Sequence, residues 1–318
     1  MKPAVFEYHR ADTAADAVAL LAELGDDAKL LGGGQSLIPM LALRLASFEH
    51  LVDISAVRDL RGIQRVDGSP ERRGAEGSPE RRGAEGSPER RGAEGSVRIG
   101  AGTTEASVER SPTVARDVPL LARATPLIGH FQIRNRGTIG GSLAHADPAA
   151  EYPAVALALD ATFDALGPAG TRSIPAADFF TGLWETALAP GELLAAISFP
   201  VWTGRCGFAV QELARRHGDF AMAGAVVAVE LDGDDRVARC GIGLIGMGST
   251  PIRASAAEAV ATGAAAGELD ATEVGRAAVA GLDNVPADLH GSAAYRTRVG
   301  ATMVARAWTD AIKEALGG

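Results

Sequence analysis

The residues of this chain best placed to do chemistry are small ones. Thr138-Ile139-Gly140-Gly141-Ser142 sets two glycines between hydroxyl residues, with Arg134 and Arg136 just upstream. Paired glycines admit positive φ and let another group come close to main-chain amides. The hydroxyls add donors, and the arginines add cations suited to an anion such as a diphosphate. On this reading Gly140→Val would push methyl groups into the ligand. A tight turn that merely needs glycine is the other reading of this pentapeptide taken alone. A second loop, Leu30-Leu31-Gly32-Gly33-Gly34-Gln35-Ser36-Leu37, follows an apolar strand and offers Ser36 as N-cap of the next helix. Two such loops fit a ligand gripped from two sides. Gly100-Ala101-Gly102-Thr103-Thr104 makes a third small, donor-rich turn.

The elements needed to carry these loops are legible as patterns. Strands are expected at 5–8, 28–31 and 50–54, and helices at 13–24 and 36–44, a small β-α-β-α-β unit. Thr13 and Asp16 have capping-box spacing. The unit is neither a Rossmann fingerprint nor a P-loop, because it lacks G-x-G-x-x-G at the first turn and a Lys-Ser/Thr after the glycines. A strand at 97–101 leads through helical stretches to the Thr138 motif. Glu151 then opens an apolar helix, where the helix dipole favours a carboxylate. Capping and hydrogen bonding to a ribose hydroxyl are both open for it. Strands at 162–166, 172–174 and 193–199 read as antiparallel, with a turn at 167–170. After residue 204 come three strands (208–213, 223–231, 237–244) and three helices (254–262, 271–280, 293–316). Gly241-Ile242-Gly243-Leu244-Ile245-Gly246 matches a dinucleotide motif, yet Met247-Gly248-Ser249-Thr250-Pro251 cannot start the helix such a motif requires.

Composition bounds what the chain can be. With 318 residues and 47% apolar content it is long enough for two or three globular domains. A net charge of −9 argues against nucleic acid as a partner, so any anion must be held locally. Two cysteines, Cys206 and Cys240, cannot ligate an iron–sulfur cluster, and no disulfide framework is possible. The six histidines show no ligand spacing in sequence, and no metal site is expected. The start of the chain lacks a signal peptide's apolar core, no run approaches a membrane span, and a cytoplasmic location is expected. Between Gly68 and Glu94 the nonapeptide GSPERRGAE occurs three times; it is neutral, has no large apolar residue, and reads as a flexible insert at a hairpin tip.

LLGGGQSLIPMLALRLASFEHLVDI, IGAGTT, IRNRGTIGGSLAHADPAAEYP and RRHGDFAMAGAVV, in that order, resemble the FAD-binding (medium) subunits of molybdenum hydroxylases. The likeness is to the carbon monoxide dehydrogenase medium-subunit and xanthine dehydrogenase FAD-subunit type, and it covers nearly the whole chain outside the repeat. It implies an α+β chain. A two-subdomain FAD-binding fold of the vanillyl-alcohol-oxidase type (1–200, subdomains 1–56 and 57–200, insert at 68–95) precedes a C-terminal domain (204–318) of a three-stranded antiparallel sheet plus three helices. It further implies that the loops from Leu30 to Leu37 and from Thr138 to Ser142 wrap the FAD diphosphate. Ala101, Thr103 and Glu151 would also contact the cofactor, Leu194 would contribute a backbone contact, and the segment from Arg215 to Phe220 would lie beside the isoalloxazine ring. Some relatives have lysine where this chain has Ala214, which leaves Arg215 as the candidate substitute. The implied partners are a molybdenum-cofactor large subunit and a [2Fe-2S] small subunit, as a dimer of heterotrimers. Electrons would enter FAD from the clusters and leave to an external acceptor. A stand-alone flavin oxidoreductase of the same fold, and an assembly subunit without flavin, are the alternatives.

Overall fold

The computed structural model describes residues 2–68 and 95–317; the nonapeptide repeats, read above as flexible, lie outside the described residues except for Gly68. Strands β1 (Glu7–Arg10), β2 (Ala28–Leu31) and β3 (His50–Asp53) form a parallel sheet in the order β1-β3-β2. β1 starts two residues later than its apolar pattern suggests, because pairing of Glu7 with His50 sets the register. The helix Ala14–Leu24 carries the expected capping box: Thr13 Oγ1 accepts from the Asp16 N–H and the Asp16 carboxylate accepts from the Thr13 N–H. Its buried face is Ala14, Ala17, Val18 and Leu21, of which Ala14, Ala17 and Val18 belong to a core that includes Val52, Val57 and Leu60.

β4 (Ile63–Asp67) and β5 (Gly95–Gly100) pair antiparallel from Ile63↔Ile99 to Asp67↔Gly95, so the hairpin expected from the joined flanks is present. They belong to a five-stranded antiparallel sheet with β6 (Thr162–Gly167), β7 (Gly170–Pro175) and, after a two-stranded hairpin of β8 (Phe180–Gly182) and β9 (Glu185–Thr186), β10 (Leu193–Pro200). The order is β4-β5-β10-β6-β7. The sheet packs against the helices Pro119–Ala124, Ile139–His145 and Glu151–Ala158 through Ile99, Leu121, Leu143, Val155 and Phe163.

The C-terminal sheet consists of β11 (Arg205–Leu213), β12 (Ala223–Leu231), β13 (Val237–Ile245) and β14 (Ile252–Arg253). It therefore has four strands rather than the expected three. The fourth is a two-residue piece after Pro251, too short to leave a pattern in the sequence. β12 is central and buried on both faces. Val226 and Ala228 face the core under the five-stranded sheet, whereas Ala225, Val227 and Val229 face the helices Ser255–Ala261, Ala271–Val279 and Ala293–Ala315. That two-sided burial is why AGAVVAVEL reads as continuous apolar sequence instead of alternating. The G-x-G-x-x-G stretch lies in β13 as far as Ile245, and Gly246 (φ 70°) turns the chain out of the strand. A Cβ on Gly241 or Gly243 would sit 2.8 Å from the carbonyl carbon of Ala158 or Ala154, so both positions let the helix Glu151–Ala158 lie directly on the sheet.

Candidate functional site

The loop after β2 leaves a row of donors open. Among the described residues, the main-chain N–H groups of Gly32, Gly33, Gly34, Gln35 and Ser36 have no protein acceptor, although all five residues are half-buried. The carbonyls of the same turn are occupied: Gly33 accepts from Gln35 Nε2 (3.3 Å), Gly34 from the Ile38 N–H (3.1 Å) and Ser36 from the Met40 N–H (3.2 Å). Unmet donors on this scale are costly unless something completes them, and a run of adjacent amides is a donor set that suits an anion. Ser36 does not cap the helix Leu37–Ala42 as expected. Its backbone is already αR, because the turn begins at Gly34 (φ 75°), and its hydroxyl makes no cap bond.

The Thr138 loop is pressed against this turn. A Cβ on Gly33 would lie 2.7 Å from Gly137 Cα, and one on Gly32 would lie 3.2 Å from Thr138 Oγ1. Thr138 N-caps the helix Ile139–His145 by accepting from the Gly141 N–H (3.1 Å). The Ile139, Gly140 and Ser142 N–H groups donate to Thr103 O (3.0 Å), Ala101 O (2.9 Å) and Thr138 O (3.0 Å). The first turn of that helix therefore spends its amides inside the protein. Ile139 and Gly140 are buried, and Gly141 is exposed. Gly140 serves the approach to Ala101, whose carbonyl oxygen would be 2.6 Å from a Cβ there. Valine at 140 would thus break the packing of two protein loops and would not report directly on a ligand contact.

Ala101 is tied in turn to the bulge of β10, its N–H donating to Ala195 O (2.9 Å). Leu194, next along, is buried in the core, so only its backbone is open to a ligand. Leu30 pairs with Val52 and Leu31 with Asp53 on β3, and Leu37 opens the next helix. Thr103 Oγ1 is occupied by the N–H and carbonyl of Gly62 (3.0 and 3.2 Å). The segment from Arg215 to Phe220 reaches the same corner at Gly218, where a Cβ would meet the Gly129 backbone at 3.0 Å. There Arg215 pairs with Asp219 (3.5 Å), and Phe220 is 66% exposed.

The two upstream arginines divide. Arg134 is buried, paired with Glu109 (2.9 and 3.1 Å) and bonded to the carbonyls of Ile128 and Gly129 (3.0 Å each). It braces the loop and is not a ligand cation, contrary to expectation. Arg136 is exposed, adjoins Gly33 through its own carbonyl, and has no ion-pair partner among the described residues.

Two carboxyl groups in this part of the molecule, Glu105 and Glu151, are buried, and a third, Glu212, is half-buried. Burial pushes Glu151 up to about 8, with Glu212 and Glu105 adding repulsion. Burial likewise raises Glu105 to about 8 against the opposing pull of Arg134, and raises Glu212 to about 7. Glu105 Oε2 and Glu212 Oε2 have no hydrogen-bond partner. Only Glu151 was legible from sequence; Glu105 and Glu212 sit in ordinary-looking segments, and tertiary burial alone distinguishes them. His145 ends the helix Ile139–His145 and stacks on Trp184 (6.1 Å between centroids, 11°).

Residues 4–71 and 89–202 match the family described as the FAD binding domain in molybdopterin dehydrogenase, and residues 208–311 match the CO dehydrogenase flavoprotein C-terminal domain. The 6-hydroxypseudooxynicotine dehydrogenase complex subunit alpha of Paenarthrobacter nicotinovorans is 40% identical over 99% of this chain and 97% of its own length. The carbon monoxide dehydrogenase medium chain of Afipia carboxidovorans is 39% identical over 96% of each. Among solved structures, a carbon monoxide dehydrogenase from Hydrogenophaga pseudoflava that lacks the Mo-pyranopterin moiety superposes with a TM-score of 0.86 at 39% identity, covering 99% of each chain. Fold and matches together define an FAD-binding oxidoreductase subunit. The chain belongs to the family of FAD-binding medium subunits of carbon monoxide dehydrogenase-type molybdenum hydroxylases. No helix among the described residues is long and apolar enough to cross a membrane.

Proposed function

We propose that the open N–H groups of Gly32, Gly33, Gly34, Gln35 and Ser36 hold the FAD diphosphate, with the hydroxyls of Ser36 and Ser142 and the Arg136 guanidinium completing the cradle. The supporting observation is the row of five adjacent amides without a protein acceptor, which fits a dianion in a chain of net charge −9. Leu30, Leu31, Leu37, Ala101, Thr103, Thr138, Ile139, Gly140 and Gly141 shape the walls. Glu151, kept neutral by burial, is a donor to a ribose hydroxyl. Leu194 offers its backbone, and Arg215 and Phe220 flank the ring. When bound, FAD supplies the redox centre between [2Fe-2S] clusters on a small subunit and an external acceptor. Residues 1–200 do this work, residues 204–318 close over one side, and a molybdenum-cofactor large subunit carries the substrate, in a dimer of heterotrimers in the cytoplasm. Relatives named as medium chains and complex subunits favour a subunit over a stand-alone reductase.

The test is purification of the tagged chain from its native host. Co-elution with two further polypeptides, molybdenum and iron is the expected result. A chain that elutes alone and turns over fully with NAD(P)H would overturn the reading.

A further inference from the structure

The parallel pairing of β1 with β3 brings three ligand-type side chains to one face of the N-terminal sheet. Glu7 and His9 are two residues apart on β1 and so point the same way, and Glu7 lies opposite His50 on β3. His9 Nε2 and His50 Nδ1 are 3.1 Å apart, and Glu7 Oε2 lies 3.6 Å from His50 Nδ1 and 3.9 Å from His9 Nε2. A tetrahedral ion with bonds of about 2.0–2.2 Å places its ligand atoms roughly 3.3–3.6 Å apart, close to this triangle. Forty residues separate the histidines in the chain, so no local spacing announces the group. Among the described residues this is the one group of three such side chains whose ligand atoms converge. The other acid on β3, Asp53, is engaged elsewhere by Tyr8 and Ser55.

We propose that Glu7, His9 and His50 form a binding site for a borderline divalent transition-metal ion, best matched by Zn2+, separate from the flavin cradle. Two imidazoles and a carboxylate are the donor set such ions prefer, and Mg2+ and Ca2+ would require more oxygen ligands. The His9 and His50 side chains are 24% and 21% exposed, open enough for an ion to enter and for water to take the fourth position. Bound metal would clamp the edge strand β1 onto β3, which is also the neighbour of β2.

The probe is Zn2+ added to the full chain, stripped with chelator and carrying a tag without histidine. Calorimetry should give one saturable site per chain, with a concentration-dependent rise in melting temperature. Removing a metal's supporting group usually weakens binding about 10–100-fold, so losing a direct ligand in His9→Ala or His50→Ala should cost at least as much. Glu7→Gln should weaken binding less, because Glu7 is mostly exposed. Should an alanine variant fail to fold, Co2+ added to the unaltered chain supplies the second readout, a visible absorption band from imidazole ligation. Zn2+ affinity unchanged in folded His9→Ala and His50→Ala, or no saturable binding with no Co2+ band, would overturn the site.

Discussion

A methyl group added at Gly33 would meet Gly137 Cα at 2.7 Å, so the Gly33 turn and the Thr138 loop would have to separate. Gly33→Ala should therefore cost about 1–3 kcal/mol of overpacking and weaken FAD binding, read by fluorescence titration of the purified chain. An unchanged dissociation constant would mean that the contact between the loops is not needed. Glu151 gives a pH test. Its carboxyl is raised from an ordinary 4.5 to about 8, so between those values the folded chain binds a proton that the unfolded chain has lost. Stability should fall as pH climbs through that window and level off above it, and Glu105 and Glu212 add to the slope. Glu151→Gln in the flavin-free chain should flatten the curve, melting higher than the parent at pH 8 and gaining less at pH 5. Equal offsets at both pH values would contradict the buried-acid account. At this scale the glycine loops were legible because runs of glycine mark turns and close main-chain approaches. What each glycine faces was not, since Arg134, Gly140 and Thr103 reach protein partners set by the tertiary fold.

The helix Glu151–Ala158 owes its place to two residues on another element. Gly241 and Gly243 let its backbone touch β13, and Arg253 fastens its end by donating to Leu157 O (3.0 Å). Gly241→Ala should destabilise the chain by about 1–3 kcal/mol in urea melts, whereas Gly233→Ala, with open space around its Cβ, should be close to neutral. Equal effects would dismiss close packing as the reason for glycine at 241. Most helices and long strands could be read from apolar period and caps, as at Thr13 with Asp16. Three features escaped for physical reasons. β1 is placed by its pairing register, β14 is two residues long, and the turn at Gly34 pre-empts Ser36 as a cap. The meeting of His9 with His50 depends on strand order, which no local pattern contains.

Across the molecule, the C-terminal sheet and the preceding helices share one core, and ion pairs pin the seam. Arg123 reaches Glu314 in the last helix (2.6 Å to Oε1), and Glu314 in turn accepts from the Phe208 N–H (3.0 Å). The β4–β5 hairpin is paired down to Asp67↔Gly95, so its strands are closed before the repeats begin. Deleting two of the three nonapeptides should leave FAD stoichiometry and melting temperature unchanged, because shortening a loop alters closure entropy only slowly. A loss of flavin on deletion would give the repeats a role in binding. Everything said of the cradle rests on five main-chain donors around Gly33, and amide hydrogen exchange reads them directly. Residues 32–36 in the flavin-free chain should exchange fast and become protected when FAD is added, more than the internally bonded amides of 139–142. If exchange at 32–36 is the same with and without bound FAD, the diphosphate is held elsewhere and the account fails.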